Sequence, residues 1–187
     1  MNKAYKYRIY PNSESDGTRP NYPRYYIQAL EKLAKEQRKL SKCEKMSNNR
    51  NKQRIKVAKL YEKVRNQRQD FLHKLSRQIT NECDVVCIED LNMKAMSQCL
   101  NFGKSVSDNS YGKFTEYLKY KLEEEGKKLI KVDKWYPSSK TCSKCGRIKT
   151  ELSLSDRIFA CECGYIEDRD INASINIRNE GLRILLA

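Results

Sequence analysis

Four cysteines have the most specific spacing in the chain: Cys142-Ser-Lys-Cys145-Gly and, 15 residues further on, Cys161-Glu-Cys163-Gly. A two-residue gap with glycine after the second cysteine lets the chain turn sharply, so that both thiolates and nearby amides face one ion. The second pair has a gap of one residue, a departure from the commonest ribbon spacing that still lets four sulfurs surround a tetrahedral Zn²⁺. Four thiolates leave no open position for water, so such a zinc is structural. A ribbon over 134–165 is too small to bury a core, and the metal should supply much of its folding energy. Lys140, Lys144, Arg147, Lys149 and Arg157 make it basic and are candidates for contact with nucleic acid. Cys43, Cys83, Cys87 and Cys99 have no comparable spacing, and Cys87 and Cys83 read as core.

Two acidic positions come next. Glu89 ends the run Asp84-Val-Val-Cys-Ile-Glu89-Asp90-Leu91, the strand-end position at which parallel sheets build sites. Asp168-Arg-Asp170 opens IEDRDINASINIRN, in which Ile171, Ile175 and Ile177 supply apolar contacts and Asn172 and Asn176 stand at i, i+4. An acid in a first helical turn is explained by the helix dipole, and that suffices for Asp168. Taken singly, neither acid is a site.

These residues need a frame to hold them. Residues 3–10, KAYKYRIY, alternate as a short strand that Pro11 ends, and 12–23 are turn chemistry around Asp16-Gly17. From Arg24 the period changes. Tyr26, Leu30, Leu33 and Leu40, and then Val57, Tyr61, Val64, Phe71, Leu75 and Ile79, follow a 3.5-residue spacing interrupted by Gln37 and Arg68. This predicts an antiparallel helical hairpin over 24–81, with Lys and Arg outermost and a nine-residue linker at 43–51. A coiled-coil dimer would give the same pattern, but the short loop favours self-pairing. Val85 to Ile88 predict a buried parallel strand. After a polar loop at 97–110, Phe114, Tyr117, Leu118 and Leu122 predict a helix closed by Gly126, and 128–133 a second strand. Strand, helix and strand make a βαβ unit whose crossover should be right-handed.

The 187 residues hold 38 Lys+Arg against 24 Asp+Glu, a net charge of +14, which favours an anionic partner. No apolar run is long enough to span a membrane, and MNKAYKYRIYPN has no signal-peptide core, so a cytoplasmic protein is expected. Eight cysteines in such a chain point to metal rather than disulfides.

Taken together, the strand ending IEDL, the helix and strand after it, YPSSKTCSKCG, CxCG and DRDINASINI resemble the C-terminal half of the OrfB/TnpB family. These are transposon-encoded, RNA-guided endonucleases with a RuvC-like nuclease domain, related to the compact type V CRISPR effectors. SDGTRPNYPRYYIQALEKLAKEQRKLSK resembles the family's helical region, and MNKAYKYRIYPN its start. The resemblance implies an α/β fold: a strand remnant at 1–12 and a partial RNase H/RuvC-like core at 15–133 that includes the hairpin. The zinc ribbon 134–165 and a closing helix 166–187 with the last RuvC motif follow. It matches Glu89 to the second RuvC carboxylate, Asp170 to the third, and Cys142, Cys145, Cys161 and Cys163 to the ribbon. In such sites three carboxylates hold two Mg²⁺ ions. DNA is the implied partner; the family also holds a guide RNA, but the deletion described next would remove most of the region that grips the guide RNA and target.

The family's first carboxylate lies in a GIDxG-like strand just before a segment like SDGTR. Here the family-like start runs through Asn12 almost directly into Ser15-Asp16-Gly17, which reads as an internal deletion with its junction near 12–15. Asp16, in a turn, is a poor substitute. The expectation is a truncated transposase-associated protein that binds DNA without nuclease activity, its strand 84–89 left with exposed edges. The alternatives are a Mg²⁺-dependent endonuclease completed in trans, or a helical module acting on a full-length family member.

Overall fold

In the computed structural model, which describes residues 4–6, 25–91, 111–153 and 155–187, α1 (Tyr25–Lys42) and α2 (Asn48–Glu82) form the expected hairpin. Bonds from Arg50 to the Leu40 carbonyl and from Gln53 to Glu36, whose partners step back along α1 as α2 advances, fix it as antiparallel. The turn is shorter than the predicted linker. Ser47 accepts a bond from the Arg50 N–H and so starts α2 at Asn48.

Along its length α2 changes partner. Gln53, Val57 and Val64 are buried on the α1 side, whereas Leu72 and Ile79 belong to the main core. At about 100° per residue the second group, with Ser76, lies roughly a quarter-turn round from the first. One continuous stripe therefore fails. Tyr61 and Leu30 are exposed, and Leu72 takes the core position while Phe71 and Leu75 pack at its margin.

β1 (Ala4–Lys6), β2 (Val85–Glu89) and β3 (Lys128–Val132) form a parallel sheet in that order, with Ala4 opposite Val85 and Glu89 opposite Val132. β2 is thus the central strand. The expectation of two exposed edges holds only in part, because β3 covers one edge over all of Val85–Glu89 while β1 covers the other over Val85–Cys87. Side-chain alternation splits β2 between two layers. Val86 and Ile88 pack with α2 and α3 (Tyr111–Glu124), the helix that leads to β3. Val85 and Cys87 pack instead with Val132 and with Ile177 of α4 (Arg169–Leu186). Gly126, at φ +68°, follows α3 as expected. Before α4 stands the small antiparallel hairpin β4 (Ile158–Ala160) and β5 (Ile166–Asp168). The predicted turn at 12–23 and loop at 97–110 lie outside the described residues.

Candidate metal centre and carboxylate rim

Two tight turns bring the cysteines together. The Cys142 N–H donates to the Arg147 carbonyl and the Gly146 N–H to that of Cys142. Likewise the Cys161 N–H donates to Tyr165 and the Gly164 N–H to Cys161. Gly146 and Gly164 stand at φ +76° and +83°, a backbone region costly for a residue with a Cβ, which explains a glycine after each pair. All four Sγ atoms lie within 4.8 Å of one another, with Cys142–Cys163 and Cys145–Cys161 each at 3.7 Å. Zn–S bonds of about 2.3 Å in a tetrahedron put the sulfurs roughly 3.8 Å apart. The residues therefore fit a metal ion such as Zn²⁺, and the one-residue gap does not spoil the geometry. The Tyr165 backbone N–H lowers the Cys163 thiol toward the thiolate that binds metal. At Cys161 a backbone bond at Cys163 is outweighed by desolvation and bonds with the three neighbouring thiols, which raise its thiol. Phe159, fully buried, is the large apolar side chain at the centre of this small unit.

The unit is tied to the sheet by α4. Asn172 Nδ2 donates to the Thr141 carbonyl at 2.8 Å while its Oδ1 accepts from the Ser143 N–H at 3.0 Å. One turn on, Asn176 Nδ2 donates to the carbonyls of Ser138 (2.8 Å) and Thr141 (2.5 Å). Both asparagines are buried, so these bonds satisfy groups that would otherwise be costly. The i, i+4 spacing was visible in the sequence; its role was not, because the acceptors are backbone atoms some 30 to 40 residues away.

Glu89 and Asp170 keep the local positions expected of them. Glu89 ends β2, half-buried, and its Oε1 accepts a bond from the Ser138 hydroxyl at 2.8 Å. Asp170 lies in the first turn of α4, the helix packed on β2. Asp168 is the N-cap, its Oδ1 accepting from the N–H groups of Asp170 and Ile171, which accounts for this acid structurally. Ser138 is the residue that sequence reasoning missed: its hydroxyl meets Glu89 and its carbonyl meets Asn176.

The five basic candidates are not equivalent. Arg147 pairs with Glu162, Lys140 donates to the Thr150 carbonyl and Lys149 to that of Ala160. Lys144 and Arg157 are exposed. This small surface holds only part of the chain's positive charge.

Comparison with known proteins assigns both halves. A family model described as "Cas12f1-like, TNB domain" matches residues 111–177, and the OrfB_IS605 model, described as "Probable transposase", matches 12–100. A Streptomyces pristinaespiralis protein named "Putative RNA-guided DNA endonuclease" is 38% identical over 90% of this chain and 42% of its own length. The InsQ protein of Escherichia coli K12, given the same name, is 30% identical over 91% of this chain and 46% of its own. The CRISPR-associated endodeoxyribonuclease Cas12f1 of Sulfoacidibacillus thermotolerans is 33% identical over 66% of this chain and 30% of its own. The chain therefore spans less than half the length of these relatives. A Cas12f1 chain solved by cryo-EM with sgRNA and target DNA shares the fold, with TM-score 0.56 and 24% identity over 82% of this chain and 41% of that one. The chain belongs to the OrfB/TnpB family.

Proposed function

We propose that this chain binds DNA and does not cut it by itself. Two-ion hydrolysis needs carboxylates converging from neighbouring elements. The strands beside Glu89 offer none: β1 is Ala-Tyr-Lys and β3 is Lys-Leu-Ile-Lys-Val. Asp133, just after β3, is occupied in a turn, where it accepts from the Trp135 N–H. Glu89 and Asp170 are the residues that would hold Mg²⁺ by family resemblance, and two carboxylates fall short of a two-ion site. The reading includes a partial RNase H/RuvC-like core, an internal deletion near 12–15 and structural Zn²⁺ in the four-cysteine unit.

The net charge of +14 supports the binding half of the proposal. Its test is retention of labelled DNA against salt, in which log K should fall steeply with log[salt]. A flat plot removes the binding claim. Mg²⁺-dependent cleavage that vanishes in Glu89→Gln or Asp170→Asn removes the claim of inactivity. A strand supplied in trans directly beside β2 would have to displace β1 or β3, whereas the outer edges of those two strands have no partner strand among the described residues.

A further inference from the structure

The helical hairpin holds most of the unbalanced charge. Residues 24–82 contain 17 of the 38 Lys+Arg but only 6 of the 24 Asp+Glu. The charge is also ordered. Lys52, Lys56, Lys59 and Lys63 are all exposed. At about 100° per residue they fall within roughly 60° of arc, a row about 16 Å long. None of the four makes an ion pair among the described residues. Some exposed lysines elsewhere do, as in Lys74–Asp70, Lys113–Glu116 and Lys131–Asp90, while others among the described residues, such as Lys42 and Lys128, do not. Like charges at i, i+4 repel along a helix, and an anionic partner laid along the row would relieve that repulsion.

α1 adds to the same face. Lys32, Lys35 and Lys39 form its row, and Glu36, paired with Lys39 at 2.8 Å, accepts from Gln53 of α2 at 2.7 Å. The Lys39 and Gln53 hydrogen bonds, together with the charges of Lys39 and Lys56, hold the Glu36 carboxyl below its ordinary range. Glu36 thus lies between the two lysine rows. The Gln37–Tyr61 bond marks the opposite face, where Arg38, Arg54 and Arg65 lie. Seven lysines against one acid therefore share a slab two helices wide.

We propose that this lysine face is a docking surface for the phosphate backbone of double-stranded DNA. It rests on the DNA-binding reading and says where on the chain that binding occurs. Lysine is a compact point charge suited to phosphate without base readout. Among the described residues between Lys32 and Lys63 the face carries no aromatic side chain, whereas single-strand binders stack bases on aromatics. Duplex DNA, its bases already paired, needs only the charge.

The test compares two triple variants of the full chain, Lys56→Gln/Lys59→Gln/Lys63→Gln and Arg38→Gln/Arg54→Gln/Arg65→Gln, on a labelled DNA duplex, an RNA duplex and a DNA single strand. Each removes three charges from exposed positions, and unchanged circular dichroism verifies folding. The lysine variant should lose at least tenfold in affinity for duplex DNA, with the salt slope reduced by about 2–3, while the arginine variant loses far less. Equal losses in both variants, or a loss confined to the RNA duplex or to the single strand, overturn the proposal. If the wild-type chain binds none of the three, the DNA-binding reading itself fails, an outcome distinct from wild-type binding that the lysine variant leaves intact.

Discussion

Where α4 crosses β2, Gly181 faces Cys87. A Cβ at residue 181 would lie 2.3 Å from the Cys87 Sγ and 2.8 Å from its Cβ. Elsewhere in a helix, alanine in place of glycine is favourable. Here Gly181→Ala should lower the unfolding free energy by about 1–3 kcal/mol through overpacking. Adding Cys87→Ala should return part of that loss, since it removes the nearer atom, and chemical denaturation of the double-mutant cycle reads the coupling. At the metal centre the same scale of reasoning applies to one sulfur. Cys145→Ser removes one of four ligands and should drop bound zinc from one equivalent to near none at micromolar metal, measured by elemental analysis of purified protein.

Among the elements, the docking of the ribbon is decided by α4. Asn176→Ala leaves the carbonyls of Ser138 and Thr141 without one buried donor, and should cost about 1–3 kcal/mol. Calorimetry should show a lowered transition while zinc content stays at one equivalent, which separates docking from metal binding. How far the elements could be read from residues follows from the range of the forces that set them. Val85–Ile88, Leu118 and Leu122, and the cysteine turns were legible because burial period and glycine placement are local signals. The hairpin was legible in outline only. Its stripe assumed one partner, whereas α2 meets α1 with Gln53, Val57 and Val64 and the main core with Leu72 and Ile79. The pairing of Ala4–Lys6 with β2 was not legible at all, since partners some 80 residues apart carry no local mark. At the site, Glu89 and the four cysteines were visible by type and spacing, while Ser138 was not, because its bond to Glu89 depends on how the ribbon folds back onto the strand end.

At the scale of the whole molecule, the parallel sheet pairs its central strand on both sides, over its full length with β3 and over Val85–Cys87 with β1, and the positive charge is concentrated on the helices. No helix among the described residues is long and apolar enough to cross a membrane. The two halves should also respond differently to metal. A strong chelator should release amide protection across 141–164, where one buried phenylalanine is the main apolar support, while 85–89 and 114–122 keep theirs through the larger core. Loss of protection in both regions at once would contradict a separable ribbon. The central claim, DNA binding without cutting, is tested most directly on a single gel. Zinc-loaded protein is incubated with end-labelled duplex and single-stranded DNA in Mg²⁺, and each sample is split between native and denaturing lanes. The account predicts a retarded band that dissolves as salt rises, with every strand at full length. Shortened strands that become full-length again in Glu89→Gln would contradict it.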